Sequence, residues 1–220
     1  RLAAILAAAE AQVIDGGFDA LSIHGVAKAV DLTPGALYRY FDSKAALIIA
    51  LTSRVVEGFA HEVHGILRGL PDDQPLQRAL AACLAYGELA HEAPHRFGLL
   101  SMLLADARVL VPKAATAEPA MSAAAKALDP IVAALDQAMA EQLLSQGESA
   151  ERAVLILTSC HGVLQLRKQA QRLPDVLNMP KLLRAMLHTL LVGWGAHPER
   201  VQMAIDALDA GGPLLGRQGE

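Results

Sequence analysis

His91-Glu92-Ala93-Pro94-His95 has the H-E-x-x-H spacing that holds zinc when both histidines leave one face of one continuous helix and the glutamate serves as base. Pro94 removes that continuity: inside a helix it would delete a backbone hydrogen bond and clash with the preceding turn. His61 and His64, three apart on one helical segment, read as residues of a solvated face. Cys83 and Cys160 sit inside apolar helical pattern, far apart in sequence, and read as small buried hydrophobes rather than a disulfide or a metal pair. There is no glycine-rich phosphate loop and no serine elbow, and "GGFDAL" is a helix stop. No nucleophile–base pair, metal or cofactor is expected, which disfavours an enzyme.

A different chemistry is written in "DLTPGALYRYFDSK", residues 31–44. Thr33 is a helix N-cap and Pro34 occupies the first helical position, where its fixed φ fits and its missing N–H costs nothing. Leu37 and Phe41, four apart, face inward with Ile23, Val26, Val30 and Leu32, leaving Tyr38 and Arg39 on the outer face. Arg39 is the one residue here able to make a bidentate contact with guanine; Lys44 can anchor a phosphate, and Ser22, Thr33, Tyr38 and Tyr40 carry hydroxyls suited to phosphate oxygens. Gly35 and Ala36 would add backbone N–H groups at the positive end of the helix dipole.

The elements that must hold these residues are helical throughout. Alanine and leucine dominate, aromatics are 4% of the chain, and apolar residues recur at spacings of three and four, so an all-α protein is expected, large enough for one domain or two. Residues 1–15 form a first helix stopped by Gly16-Gly17. Ser22 caps a second over Ile23–Val30, with Leu21 and Val26 in staple positions, and a third covers Pro34–Phe41. Asp42-Ser43 caps a fourth, about 40 Å long, whose stripe runs Leu47, Leu51, Val55, Phe59, Val63, Ile66, Leu70. Further helices are expected at 76–92, 95–110, 120–146 with a restart at Asp129-Pro130, 150–171 capped by Ser149, 180–194 and 199–210, before a mobile Gly211-Gly212-Pro213 tail. The 150–171 and 180–194 helices are so widely apolar that they suggest a partner beyond their own core.

The net charge is −4 and residues 1–48 carry four Lys or Arg against five acids, so any DNA contact must come from a local patch and not from bulk basicity. No apolar run reaches the length of roughly 18 residues needed to span a membrane, and no cleavable leader pattern opens the chain, so a cytoplasmic protein without membrane partners is expected.

Three helices of these lengths with a four-residue turn before the third have the proportions of a helix-turn-helix. Over Leu21–Leu47 the chain resembles the N-terminal domain of TetR-family transcriptional regulators, through a small-residue helix, the turn, Leu-Tyr-x-(His/Tyr)-Phe and x-(Ser/Asn)-Lys-x-x-Leu. "CHGVLQL" at 160–166 is similar to a His-Gly helix found in a subset of them. The resemblance implies an all-α homodimer with a helix-turn-helix DNA-binding domain at 1–46 and a helical ligand-binding and dimerisation domain at 47–220. Such a protein usually represses from a palindromic operator until a small molecule releases it. Carried over position by position, the DNA surface is Thr33, Pro34, Gly35, Tyr38, Arg39, Tyr40 and Lys44, flanked by Ser22 and His24; Asp31 stands where the family usually has a turn glycine. A pocket in the body rests on the same analogy; its candidate lining, chosen by apolar position in the central helices, is Phe59, Tyr86, Phe97, Leu100, Met102, Leu103 and His161, suited to an uncharged or weakly polar hydrophobic effector, and Ile156, Val163, Leu183, Leu187, Leu190 and Trp194 would form a four-helix dimer interface. The alternative is a ligand-binding protein of the same fold without operator recognition.

Overall fold

The computed structural model describes residues 1–105, 114–173 and 176–212, with the side chains of Phe18, 102–105 and 114–121 outside the description. Every regular element among the described residues is a helix. They are α1 (Leu2–Ala20), α2 (Ile23–Ala29), α3 (Pro34–Leu37), α4 (Lys44–Arg68), α5 (Pro75–Glu92), α6 (Pro94–Ala105), α7 (Ala114–Ala140), α8 (Ser149–Gln165), α9 (Arg167–Ala170), α10 (Met179–Gly193) and α11 (Pro198–Ala210). None of the described helices is long and apolar enough to cross a membrane.

The chain divides into two compact units. One comprises Arg1–Gly58 with Pro94–Lys126. Its core is built by Ile5, Ala9 and Val13 of α1, Ile23 and Val26 of α2, Leu37, Phe41, Leu47 and Leu51, and Phe97 and Leu99 of α6, all buried. The other comprises Phe59–Ala93 with Ala127–Glu220. In it α5 packs on α8, α10 and α11, and α10 packs on both α8 and α11. Leu80, Leu84, Leu135, Ile156, Leu183, Leu191 and Val201 fill the space between.

Several boundaries differ from the sequence expectation, each for a local reason. The stop expected at Gly16-Gly17 is present as a break at Gly17, whose φ of 73° and ψ of −174° are non-helical and open to glycine at little cost; a short second helical segment carries α1 on to Ala20. Only one turn of α3 is α-helical; beyond Leu37 the bonds Arg39 N to Ala36 O (3.3 Å) and Tyr40 N to Leu37 O (2.9 Å) tighten it to i→i−3 spacing. Helix α7 passes through both Pro119 and Pro130 instead of restarting, and stops at Ala140 rather than 146. There Gln142 adopts φ 58° while Leu143 N and Gln142 N donate to Ala138 O (2.8 Å) and Met139 O (3.1 Å), a Schellman stop that needed no glycine. Ser149 is the first residue of α8 and not its cap: Glu148 holds that position without a side-chain bond. A non-helical Leu166 splits the expected 150–171 helix into α8 and α9. Residues 106–113, which include the end of the expected 95–110 helix, and the tail from Pro213 lie outside the described residues.

Candidate nucleic-acid interface and effector site

The head is assembled by capping bonds that the sequence announces. Ser22 Oγ accepts from Gly25 N (2.9 Å), while Ser22 N donates to Gln12 Oε1 (3.0 Å), tying α2 to α1. A Cβ on Gly25 would stand 2.6 Å from Gln12 Nε2, so a larger residue here would have to displace the end of the Gln12 side chain. Leu21 and Val26 are both buried, as a hydrophobic staple demands. Helix α2 then ends in a second Schellman stop: Asp31 N donates to Lys28 O (3.3 Å), Leu32 N to Ala27 O (2.9 Å), and Asp31 takes the left-handed φ of 53°. Aspartate reaches that region more readily than most residues, but at a cost glycine avoids. Asp31→Gly is therefore expected to raise the unfolding free energy by about 0.5–1 kcal/mol, seen as a higher urea midpoint at an unchanged slope.

Thr33 Oγ1 accepts from Ala36 N (3.1 Å) and Pro34 opens α3. Leu37 and Phe41 are buried, and Tyr38, Arg39 and Tyr40 stay exposed together at the tightened end of the helix. Ser43 Oγ accepts from Ala46 N (3.1 Å), which starts α4 with an exposed Lys44. Ser22, His24, Thr33 and Gly35 are exposed and Pro34 half-buried, so the nine residues assigned to DNA all have surface to give. One expectation needs correcting. Ala36 N is taken by the Thr33 cap and Pro34 has no N–H, so within this short first turn the backbone donor left to meet a phosphate is that of Gly35.

In the second unit Phe59, Tyr86 and His161 come together. The Phe59 and Tyr86 rings meet at 5.6 Å, tilted by 54°, and Tyr86 stacks near His161 at 6.2 Å. Tyr86 Oη lies 2.9 Å from His161 Nδ1, and the Gln165 amide 2.8 Å from His161 Nε2, so a neutral ring donates at one nitrogen and accepts at the other. Burial, with the positive charge of Arg167 second, holds His161 below the ordinary histidine range. Burial pushes the Tyr86 hydroxyl well up, reinforced by Cys160 and opposed by Arg167. Cys83 and Cys160 are both buried free thiols; their mutual hydrogen bond, together with burial, pushes Cys83 up. The arrangement is a polar thread through Tyr86, His161 and Gln165 beside the Phe59 ring, with the Arg167 guanidinium near it.

The depressed His161 gives a signed pH effect. The unfolded chain binds a proton near pH 6.5 that the folded chain resists, so the stability tied to His161 is present above that pH and is lost as pH falls toward its folded value. Melting temperature is expected to fall more steeply between pH 7 and 5 in the parent than in His161→Gln, and parallel curves would remove His161 from this role.

Of the other residues expected to line a pocket, Phe97 and Leu100 are buried in the core of the first unit, while the side chains of Met102 and Leu103 lie outside the described residues. Sequence reasoning missed Gln165 and Arg167. Gln165 was legible as the residue one helical turn after His161; Arg167 was not, because the break at Leu166 redirects the chain.

The proposed interface residues need a larger correction. Ile156 and Leu187 are 1% exposed and Leu183 is 0% exposed within the single chain, so they have no surface to offer a partner. Trp194 is half-buried, its face covered by the Arg152 guanidinium at 5.2 Å and its carbonyl accepting from Ser145 N (2.8 Å). Val163 and Leu190 remain half-exposed. The apolar surface of α8 is instead carried by Val154 (47% exposed) and Leu155 (50% exposed), continuing through Thr158 and Gly162 to Leu166. The wide apolar stripe had two sides, and periodicity alone could not say which one the chain keeps for its own core.

His91 lies in the last turn of α5 and His95 in the first turn of α6, with Ala93 non-helical between them (φ −130°, ψ 65°), so the zinc spacing is broken where Pro94 requires. Exposed His64 turns its Nδ1 to Ala60 O (2.7 Å). Among the described residues no group of three or more His, Cys, Asp or Glu could hold a metal ion.

The family model described as "Bacterial regulatory proteins, tetR family" matches residues 5–51, and that described as "Tetracyclin repressor-like, C-terminal domain" matches residues 79–190. Among curated proteins none matches the chain significantly in sequence. Solved structures of similar fold include a protein of unknown function from Rhodococcus sp. RHA1, with 20% identity, TM-score 0.71, and 88% of this chain and 94% of that one covered. RolR in complex with resorcinol has 14% identity and TM-score 0.67, with 92% of each chain covered. SmeT, the repressor of the Stenotrophomonas maltophilia multidrug efflux pump SmeDEF, has 23% identity and TM-score 0.60, with 88% of this chain and 90% of that one covered. With one model spanning the helix-turn-helix and the other half of the chain in the helical body, this protein belongs to the TetR family of bacterial regulatory proteins.

Proposed function

We propose that the chain acts as a homodimeric, ligand-responsive repressor that holds a palindromic operator and releases it when a small, mostly hydrophobic molecule binds the body. The observation that carries this is the exposed Tyr38-Arg39-Tyr40 face, fixed by the Thr33 and Ser43 caps on a helix-turn-helix whose apolar side is buried. Arg39 reads a guanine; Ser22, Thr33, Tyr38, Tyr40, Lys44 and the Gly35 N–H meet phosphates, with Pro34 and His24 beside them. Residues 1–46 form the reading head and 47–220 the body. The dimer forms through the exposed side of α8, centred on Val154 and Leu155, with Val163 and Leu190 at its margin. Two-fold symmetry then spaces the half-sites by roughly 34 Å.

The effector seats beside Phe59, Tyr86 and His161, whose hydroxyl and ring nitrogens orient a polar substituent while the Phe59 ring takes the apolar body. SmeT as a repressor and RolR as a binder of resorcinol support the reading by fold. The protein works in the cytoplasm and needs no catalysis. Selecting fragments of the source genome with the purified protein is expected to recover a short palindrome, with an affinity that falls steeply as salt rises. A body that binds small molecules while no duplex is selected, or a flat salt dependence, would favour a ligand-binding protein without operator recognition, for which the acid-rich head is the motive.

A further inference from the structure

Two arginines outside the reading face make contacts that none of the roles above uses. Arg1, whose carbonyl accepts from Ile5 N (3.1 Å) and so opens α1, sends a guanidinium N–H to Val30 O at 2.7 Å in a partly buried bond. One helical position into α1, Ala3 O accepts from Arg54 of α4 at 3.1 Å. The first turn of α1 therefore bridges α4 and the end of α2, entirely within one compact unit.

The acceptor matters. Val30 closes α2, where carbonyls lack helical partners and carry the negative end of the dipole, so a guanidinium is well placed there. Its carbonyl also belongs to the planar peptide unit that leads into Asp31. Holding that oxygen fixes one side of the φ rotation at Asp31, the left-handed residue whose conformation sets the direction of α3 relative to α2.

We infer that Arg1 and Arg54 are positioning residues for the reading helix: they clamp the first turn of α1 so that the Val30–Asp31 peptide, and with it Tyr38 and Arg39, keeps one orientation, and they touch no DNA themselves. This rests on the operator reading above only in its binding arm.

The test uses the full chain with Arg1→Met and Arg54→Met, which keep the apolar stem and delete the donors, and Arg1→Lys, which keeps one donor. Two readouts are taken. The first is hydrogen exchange at the Leu32 amide, which spans the turn to Ala27 O. The second is affinity for the duplex recovered by genomic selection, measured across a salt series. Arg1→Met is expected to speed Leu32 exchange about tenfold and weaken the duplex about tenfold, with the slope against log salt unchanged; Arg54→Met moves both the same way by about threefold, and Arg1→Lys restores part of each. A slope reduced by about one with Leu32 exchange unchanged would make Arg1 an ordinary phosphate contact and overturn the clamp. Unchanged exchange and affinity would overturn it equally. If no duplex is recovered, the operator reading fails, and the exchange readout still decides the clamp.

Discussion

Leu187→Asp is expected to unfold the body instead of producing a soluble monomer. The side chain is 1% exposed and lies on α10, which packs against α5, α8 and α11. Truncating such a leucine to alanine costs about 2–5 kcal/mol, from lost transfer free energy and the cavity left behind. An aspartate adds the cost of placing a carboxylate where no partner is built for it. Against a total stability of about 5–15 kcal/mol, that consumes most or all of the margin. Leu187→Ala keeps the quantity measurable: its urea midpoint should fall by an amount equivalent to about 2–5 kcal/mol at an unchanged slope. Leu155→Asp is the contrast. Half of Leu155 faces outward, so its substitution should leave helicity and melting near the parent values while the sizing-column mass drops from two chains to one. A dimer that persists in Leu155→Asp would move the interface off this side of α8. A folded, monomeric Leu187→Asp would show that α10 gives that face to a partner.

The second large effect belongs to the reading face. In the double substitution Tyr38→Ala with Arg39→Ala, each head would lose the base contact proposed for Arg39, worth about 1–3 kcal/mol, together with one hydroxyl suited to a phosphate. On the proposed palindrome both heads of the proposed dimer are engaged, so the loss counts twice: about 2–6 kcal/mol, or roughly thirtyfold to twenty-thousandfold in affinity for the selected duplex. Both side chains are exposed and neither holds α3, which is anchored by the buried Leu37 and Phe41 and capped by Thr33. Circular dichroism and dimer mass should therefore not move. Arg39→Ala alone should relax preference at one base pair of each half-site, whereas Lys44→Ala should weaken all duplexes alike and lower the salt slope. Operator affinity within threefold of the parent in the double variant would remove α3 from the DNA contact.

Much of the head was legible because its signals are local. Ser22, Thr33 and Ser43 each bond a backbone N–H three residues on, Pro34 fits only a first turn, and Leu37 and Phe41 four apart can share only one face. Such contacts span less than two helical turns, so residue type and spacing specify them without knowledge of the rest of the chain. The same holds for Pro94, which separates His91 from His95 whatever the surroundings. The Gln142 stop after α7 was not legible, since a left-handed residue other than glycine leaves little trace in sequence.

What sequence alone determined about this protein is its all-helical class, the cap-by-cap layout of its head and the exposure of Tyr38, Arg39 and Tyr40. Tertiary structure decided everything that depends on which helices meet. It joined Tyr86 of α5 to His161 of α8 across 75 positions and set Cys83 against Cys160. It also turned Leu183 and Leu187 inward, leaving Val154 and Leu155 outside. The reason is that a helix apolar on a wide arc can satisfy the hydrophobic effect with either half of that arc, and the choice falls to the neighbours that cover one half first.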